Sequence, residues 1–362
     1  MSSDAGHLFA VSRVLLYCRE GFEGDCAAEI VHVAAEHGVS GYCRARSGSA
    51  HVLFEVTDGA VDTFFRSLHW RELIFARQWL QVLAEVEAMP RDDRVAPLVN
   101  AHGGYREEYR KLLLEHPDNN SGKSLSPLCR RLSGALARGL REGGVDPARP
   151  GAGWRLHVFF SDGDHALLAE TPVHRTPPWP GGIPRLKLPA QAPSRSTLKL
   201  EEALHAFLSA DERARLLRPG RKAVDLGAAP GGWTWQLVRK GMRVTAVDNG
   251  PMQPALMESG LVEHVRADGF HYRPPRPVDL LVCDMVDKPI RVTNLMARWF
   301  HRGDCRQAIF NLKLPMKRRY ATASECLRRL RDSLAGAGPR GTVQARHLYH
   351  DREEVTVHVR RE

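Results

Sequence analysis

Residues 222–238 leave few folds open to this chain. Lys222-Ala223-Val224-Asp225-Leu226 is a short apolar run that reads as a strand, Gly227-Ala228-Ala229-Pro230-Gly231-Gly232 breaks it, and Trp233 to Val238 restarts as a helix. A strand that stops at glycines and re-enters as a helix lets a ligand approach the backbone closely. The spacing is not G-x-G-x-x-G, and no lysine follows of the kind that closes a phosphate loop. Pro230 ahead of two glycines gives a stiffer, wider bend. An ordinary strand–helix turn without a ligand is the plain alternative.

The rest of the C-terminal half extends the pattern. Strands are predicted at 223–226, 243–248, 263–265, 280–284 and 307–311, then a closing pair at 342–349 and 354–359. Five alternating units and a hairpin fit a seven-stranded, doubly wound α/β sheet whose last strand runs antiparallel. Ligands of such sheets bind at the carboxyl ends of the central strands, where the strand order switches. The proline-rich stretch 172–193, with Pro177-Pro178-Trp179-Pro180, Pro184, Pro189 and Pro193, is expected to be an extended linker. The doubly wound domain is assigned to 194–362. Upstream, a strand at 14–18, a helix at 24–36 and a strand at 50–56 predict a small ferredoxin-like α+β subdomain over 1–60. The apolar block from Phe64 to Trp79 is expected to be core. Residues 61–171 form a second region, with a segment at 109–115, a polar loop at 117–124, a basic amphipathic helix at 128–138 and a strand at 154–160.

Composition narrows the partners. The 362 residues, 43% hydrophobic, can fill two cores. A formal charge of +10 suits a polyanion or an anionic membrane surface. No apolar run reaches the roughly 20 residues that span a bilayer, and Met1 to Gly6 lacks the apolar core of a signal peptide. Seven scattered cysteines make neither a disulfide framework nor a zinc pattern. These features predict a cytoplasmic, reduced protein without a structural metal.

Several polar residues fall where such a fold gathers its chemistry. Asp248 ends the second strand, where an acid takes ribose hydroxyls. Asp268, in Ala267-Asp268-Gly269-Phe270, could accept an adenine amino group, although Asp-Gly is also a common turn. Lys199 lies on an entering helix, Asp284 ends the fourth strand, Lys313 follows the fifth and Glu354 opens the last. Each lysine alone reads as a solvated surface charge. The loop Asp225-Leu226-Gly227 to Pro230-Gly231-Gly232 resembles the S-adenosylmethionine loop of methyltransferases, and Lys199, Asp284, Lys313 and Glu354 in chain order resemble the tetrad of FtsJ-related ribose 2′-O-methyltransferases. A ribose hydroxyl is a weak acid, and a lysine with a pKa of about 10.4 is no base at pH 7. Desolvation and a neighbouring ammonium from Lys199 would push Lys313 toward the neutral amine, while Asp284 and Glu354 hold the ammonium groups. Lys313 is therefore expected to be the base, with Lys199 and Asp284 orienting the hydroxyl.

The resemblance narrows further. Ile183-Pro184-Arg185-Leu186-Lys187, Ala192 to Ala203, Val247 to Met252, Cys283 to Val286, Asn311 to Lys317 and His350 to Arg361 are similar to the RlmM family; so are Cys18 to Glu23 and Leu73 to Trp79. The resemblance implies a class I, Rossmann-like methyltransferase domain over 194–362, preceded by an α+β region. It implies methyl transfer to the 2′-hydroxyl of a cytidine in the peptidyl-transferase loop of 23S rRNA. Naked or precursor rRNA is the expected substrate form, and a monomer would suffice for the chemistry. The resemblance also implies that Ser196, Ala229, Pro230, Gly231, Gly232, Asp248, Asp268 and Asp284 contact S-adenosylmethionine. Position 229 is alanine where some relatives carry cysteine. The strand, polar loop and basic helix before 160 resemble a THUMP RNA-binding domain, the loop near 115–124 least of all. Lys317, Arg318, Arg319, Arg328, Arg329, Arg331 and Arg352 are expected to meet phosphates without reading sequence. Methylation of tRNA or another rRNA ribose, a non-catalytic assembly role and an NAD oxidoreductase are the competing readings.

Overall fold

The computed structural model describes residues 13–59, 64–65, 67–335 and 341–361; the reading of Met1 to Gly6 lies outside the described residues. The chain divides into two units, Met1–Ile183 and Pro184–Glu362. The division falls inside the proline-rich stretch, whose first residue, Pro172, still belongs to a strand.

The first unit is built on one seven-stranded sheet in the order β2-β3-β1-β4-β7-β6-β5. Its strands are β1 (Arg13–Tyr17), β2 (Ser40–Ala45), β3 (His51–Asp58), β4 (Gln78–Val86), β5 (Lys111–Glu115), β6 (Trp154–Phe160) and β7 (Ala166–Pro172). β4 bonds to β1 on one side and to β7 on the other, so the sheet runs without interruption from residue 13 to residue 172. The predicted elements at 14–18, 24–36, 50–56 and 154–160 are present, and the basic helix extends over Ser126–Glu142. The polar loop closes as one helical turn, Asn120–Lys123, capped by the Asn119 side chain, which accepts from Gly122 N at 2.7 Å. Two buried acids tie the unit together. Glu29, on the helix Glu23–Glu36, accepts the backbone N–H groups of Ile74, Phe75 and Ala76. Glu115 accepts from Tyr17 Oη at 2.9 Å and Gly181 N at 2.6 Å, and lies 2.7 Å from His157 Nδ1. Burial opposes its charge, but His157 and these donors outweigh that and keep the carboxyl below its usual range.

The second unit carries β8 (Lys222–Leu226), β9 (Arg243–Val247), β10 (Val262–Val265), β11 (Val278–Cys283), β12 (Cys305–Lys313), β13 (Gly341–Arg346) and β14 (Glu354–Arg361), in the order β10-β9-β8-β11-β12-β14-β13. β8 to β12 pair in parallel and β14 antiparallel, as expected from the sequence. Val224, Leu226, Leu281, Val282, Ile309 and Phe310 are fully buried, because strands covered on both faces need apolar side chains on both. From β8 the chain moves outward to β9 and β10, then returns to β11 on the other side. The β8–β11 boundary is thus the switch point, and the glycine loop and Asp284 both leave from it.

Candidate active site

The four residues of the expected tetrad meet at the carboxyl edge of β11 and β12. Lys313 Nζ donates to Asp284 Oδ1 at 2.8 Å and lies 3.7 Å from Glu354 Oε1. Lys199 Nζ lies 3.5 Å from Asp284 Oδ2 and donates to Glu354. Register explains half of this: Lys313 and Glu354 are paired residues of adjacent antiparallel strands. Lys199 reaches them because its helix, Thr197–Phe207, is anchored through Glu202, which accepts from Tyr349 N at 2.8 Å and His350 N at 3.0 Å. Each carboxylate touches both lysines. Burial alone would lower the Lys199 pKa, but Asp284, then Glu354 and Asp351, outweigh it and hold the ammonium above its usual range.

A buried polar chain behind the tetrad was not legible in the sequence. Asn311, two residues before Lys313 and so on the same face of β12, donates to Asp284 Oδ1 at 2.7 Å. Thr356 Oγ1 donates to Asn311 Oδ1 at 2.7 Å and lies 3.0 and 3.1 Å from the Asp351 carboxyl oxygens. Burial, with Glu354 nearby, pushes the Asp351 carboxyl well above its usual range. The chain fixes the Asp284 oxygens from inside the fold. An asparagine between Phe310 and Leu312, in the buried stretch of β12, was the one signal available.

The residues expected to hold the cofactor gather around the glycine loop. Gly231 sits at φ +114°, a conformation closed to other residues, and a Cβ there would overlap Leu256. A Cβ on Gly232 would come 2.5 Å from both Ser194 Oγ and Ser196 Oγ, so Ser196 packs directly over the loop. Trp233 Nε1 fixes that segment by donating to Ser196 O at 3.0 Å. Pro230 O accepts from Gln253 N at 3.0 Å. Asp248 accepts Ala229 N at 3.1 Å on one oxygen and Gly250 N at 2.7 Å on the other. Each oxygen keeps lone-pair capacity on a half-buried carboxylate, which suits a ribose diol. Asp268 is exposed; Phe270 N, then His271, holds its carboxyl below the usual range. Its neighbour Gly269 packs on Leu226 and Met285, which brings the Asp268 turn to the same edge. Asp225, at the end of β8, is buried and accepts from Thr234 Oγ1 at 2.7 Å.

Several of the cations expected to meet phosphates are engaged in ion pairs. Arg319 is paired with Glu353, Arg328 with Glu325 and Asp332, and Arg329 with Glu325. Helical spacing put the acids three and four residues away from Arg328 and Arg329, and local pairs took them. Lys317, Arg318 and Arg352 are exposed at this edge. Among the described residues, the cluster capable of holding a metal is Glu85, Glu87 and His165 in the first unit, where Arg13 already pairs with Glu85. All seven cysteines are unpaired. No described helix is long and apolar enough to cross a membrane.

Comparison with known proteins follows the same division. Residues 11–80 match a family model described as RlmM ferredoxin-like domain, and residues 93–171 one described as Ribosomal RNA large subunit methyltransferase M, N-terminal. Residues 192–298 match FtsJ-like methyltransferase. The Ribosomal RNA large subunit methyltransferase M of Xanthomonas campestris pv. campestris is 50% identical over 348 residues, covering 96% of this chain and 99% of that protein. Its namesake in Cellvibrio japonicus is 47% identical over 352 residues, covering 97% and 99%. Among solved structures, TrmN from Thermus thermophilus aligns over 97% of this chain and 99% of its own at 14% identity, with a TM-score of 0.33, too low to carry weight.

Proposed function

Since the chain belongs to the ribosomal RNA large subunit methyltransferase M family and is an S-adenosylmethionine-dependent rRNA methyltransferase, we propose that it methylates the ribose 2′-hydroxyl of a cytidine in the peptidyl-transferase loop of 23S rRNA, with Lys313 as the base. The observation that carries this reading is the pair of lysines bridged by two carboxylates at the switch-point edge. S-adenosylmethionine would supply a sulfonium-activated methyl whose leaving group, a neutral thioether, needs no help from the protein. Acceptor activation is what the protein must add. Lys199, kept charged by its neighbours, holds Asp284 and Glu354 and stays a cation. Lys313, hydrogen-bonded to Asp284 Oδ1, must enter the step as the neutral amine; it takes the proton of the 2′-hydroxyl as the oxygen forms the new bond, and the resulting ammonium then releases that proton to solvent. Asp248 would hold the cofactor ribose, the loop from Ala229 to Gly232 with Ser196 would hold its methionine end, and Asp268 its adenine.

RNA capture belongs to both units in this proposal. The exposed Arg130, Arg131, Arg138 and Arg141 of the helix Ser126–Glu142 form a THUMP-like cationic face, and Lys317, Arg318 and Arg352 supply phosphate contacts beside the tetrad. A cytoplasmic site of action and action as a monomer on naked or precursor rRNA complete the reading. Transfer of labelled methyl to rRNA from a strain lacking the protein tests it, with the modified nucleotide mapped by ribose-methylation sequencing. Transfer to a base, or undiminished transfer by Lys313→Ala, would overturn it.

A further inference from the structure

Among the described residues, two large aliphatic side chains stand out in water. Val286 is 86% exposed and Met316 82%, whereas the next aliphatic, Leu188, reaches 43%. Both follow the tetrad closely: Val286 lies two residues past Asp284, and Met316 three past Lys313. Their strands, β11 and β12, pair in parallel up to Cys283 and Phe310, and the 2.8 Å bond between Lys313 and Asp284 joins the roots of the two loops. The two loops therefore leave the catalytic edge from adjacent points.

The two loops repeat one order of side chains. A polar tetrad residue comes first, then an apolar residue turned inward: Met285, packed against Gly227 and Gly269, or Leu314, which is buried. The exposed aliphatic follows, after Pro315 in the second loop; exposed cations come beyond it, Lys288 after Asp287, which pairs with Arg291, in one loop and Lys317 with Arg318 in the other. A solvated valine or methionine gives the fold nothing, since its apolar surface is never removed from water. What fits beside a bound ribose is its own base, apolar on both faces once drawn from the stack, with flanking phosphates at the cations.

We propose that Val286 and Met316 seat the unstacked target base, holding its ribose against Lys313. The proposal rests on the ribose-methylation reading above. A protein partner is disfavoured because the pair shares its loops with exposed lysines and with the reaction centre itself.

The test uses the full chain and an rRNA fragment with pyrrolocytidine at the methylated position. Binding should raise the fluorescence of the analogue as it leaves the stack. V286A and M316A should each lower kcat/KM about tenfold, chiefly through KM for RNA, and the double variant should lose the fluorescence rise. V286I and M316L should retain near-normal values, and cofactor affinity and melting temperature should not move in any of them. Wild-type kcat/KM in the double alanine variant would overturn the proposal, as would impaired transfer with an unchanged fluorescence rise. Absence of ribose methylation by the wild type is a different result and would sink the parent reading.

Discussion

Replacing Asp225 by asparagine should change how stability depends on pH. The carboxyl is 1% exposed at the end of β8. Burial pushes its pKa to about 7; the Thr234 hydrogen bond opposes this, and the nearby charges of Asp284 and Asp248 add to it. The folded state thus keeps a proton that the unfolded chain, with a pKa near 3.8, has released. Stability from this group is complete below the unfolded value and falls as pH rises through the window from about 4 to about 7. Each pH unit crossed inside that window costs about 1.4 kcal/mol, so the loss is roughly 1.5 kcal/mol at pH 5 and roughly 4 kcal/mol at pH 8. Asparagine is neutral, similar in shape and still able to accept from Thr234, so Asp225→Asn should escape the loss. Urea unfolding of the second unit, followed by pulsed amide exchange in β8 and β11, should find the variant more stable. The advantage should be about 2.5 kcal/mol larger at pH 8 than at pH 5. An advantage that is the same at both values, or none, would refute a neutral buried acid here.

Three further outcomes follow from the site. Lys313→Ala should reduce single-turnover methyl transfer at least about a hundredfold while cofactor affinity, measured by calorimetry, stays within about twofold. Asn311→Ala removes an amide that orients Asp284 from within the sheet. It should lower kcat by about tenfold to a hundredfold with KM little changed and displace the pH–rate profile, which a purely structural defect would not do. Gly231→Ala forces a Cβ into a left-handed position beside Leu256; a stability loss of about 1–2 kcal/mol in urea titrations, with weaker cofactor binding, is expected.

The second unit was largely legible because its strands are short, apolar and bounded by charged or glycine residues. Asp248, Asp284 and Lys313 could be placed simply as the residues at strand ends. Glu354 opens β14 opposite Lys313. The first unit was less legible. β2, Ser40–Ala45, is an edge strand with no fully buried side chain, so alternation had nothing to report. β4 merged into an apolar block, and β7 ended in the proline that opens the proline-rich stretch. Asp351 and Thr356 were hidden for another reason: their role depends on a hydrogen-bond chain crossing from β14 to β12, which local sequence does not encode. The ion pairs of Arg328 and Arg329 with acids one helical turn away could be read from spacing, and the sequence reading of phosphate contacts did not weigh them.

The sheet of the first unit has a bearing on how the protein can be dissected. Family resemblance breaks the region into two blocks, 11–80 and 93–171, an invitation to express either by itself. Yet the ladder from β4 to β7 crosses that seam. A clone of the latter block alone would leave the β7 side that bonds β4 as a bare rim of amide and carbonyl groups, a template for fibrous or domain-swapped association. Excising the whole of residues 13–183 keeps every rung of that ladder occupied, and it is the shorter pieces that should come out of the cell insoluble.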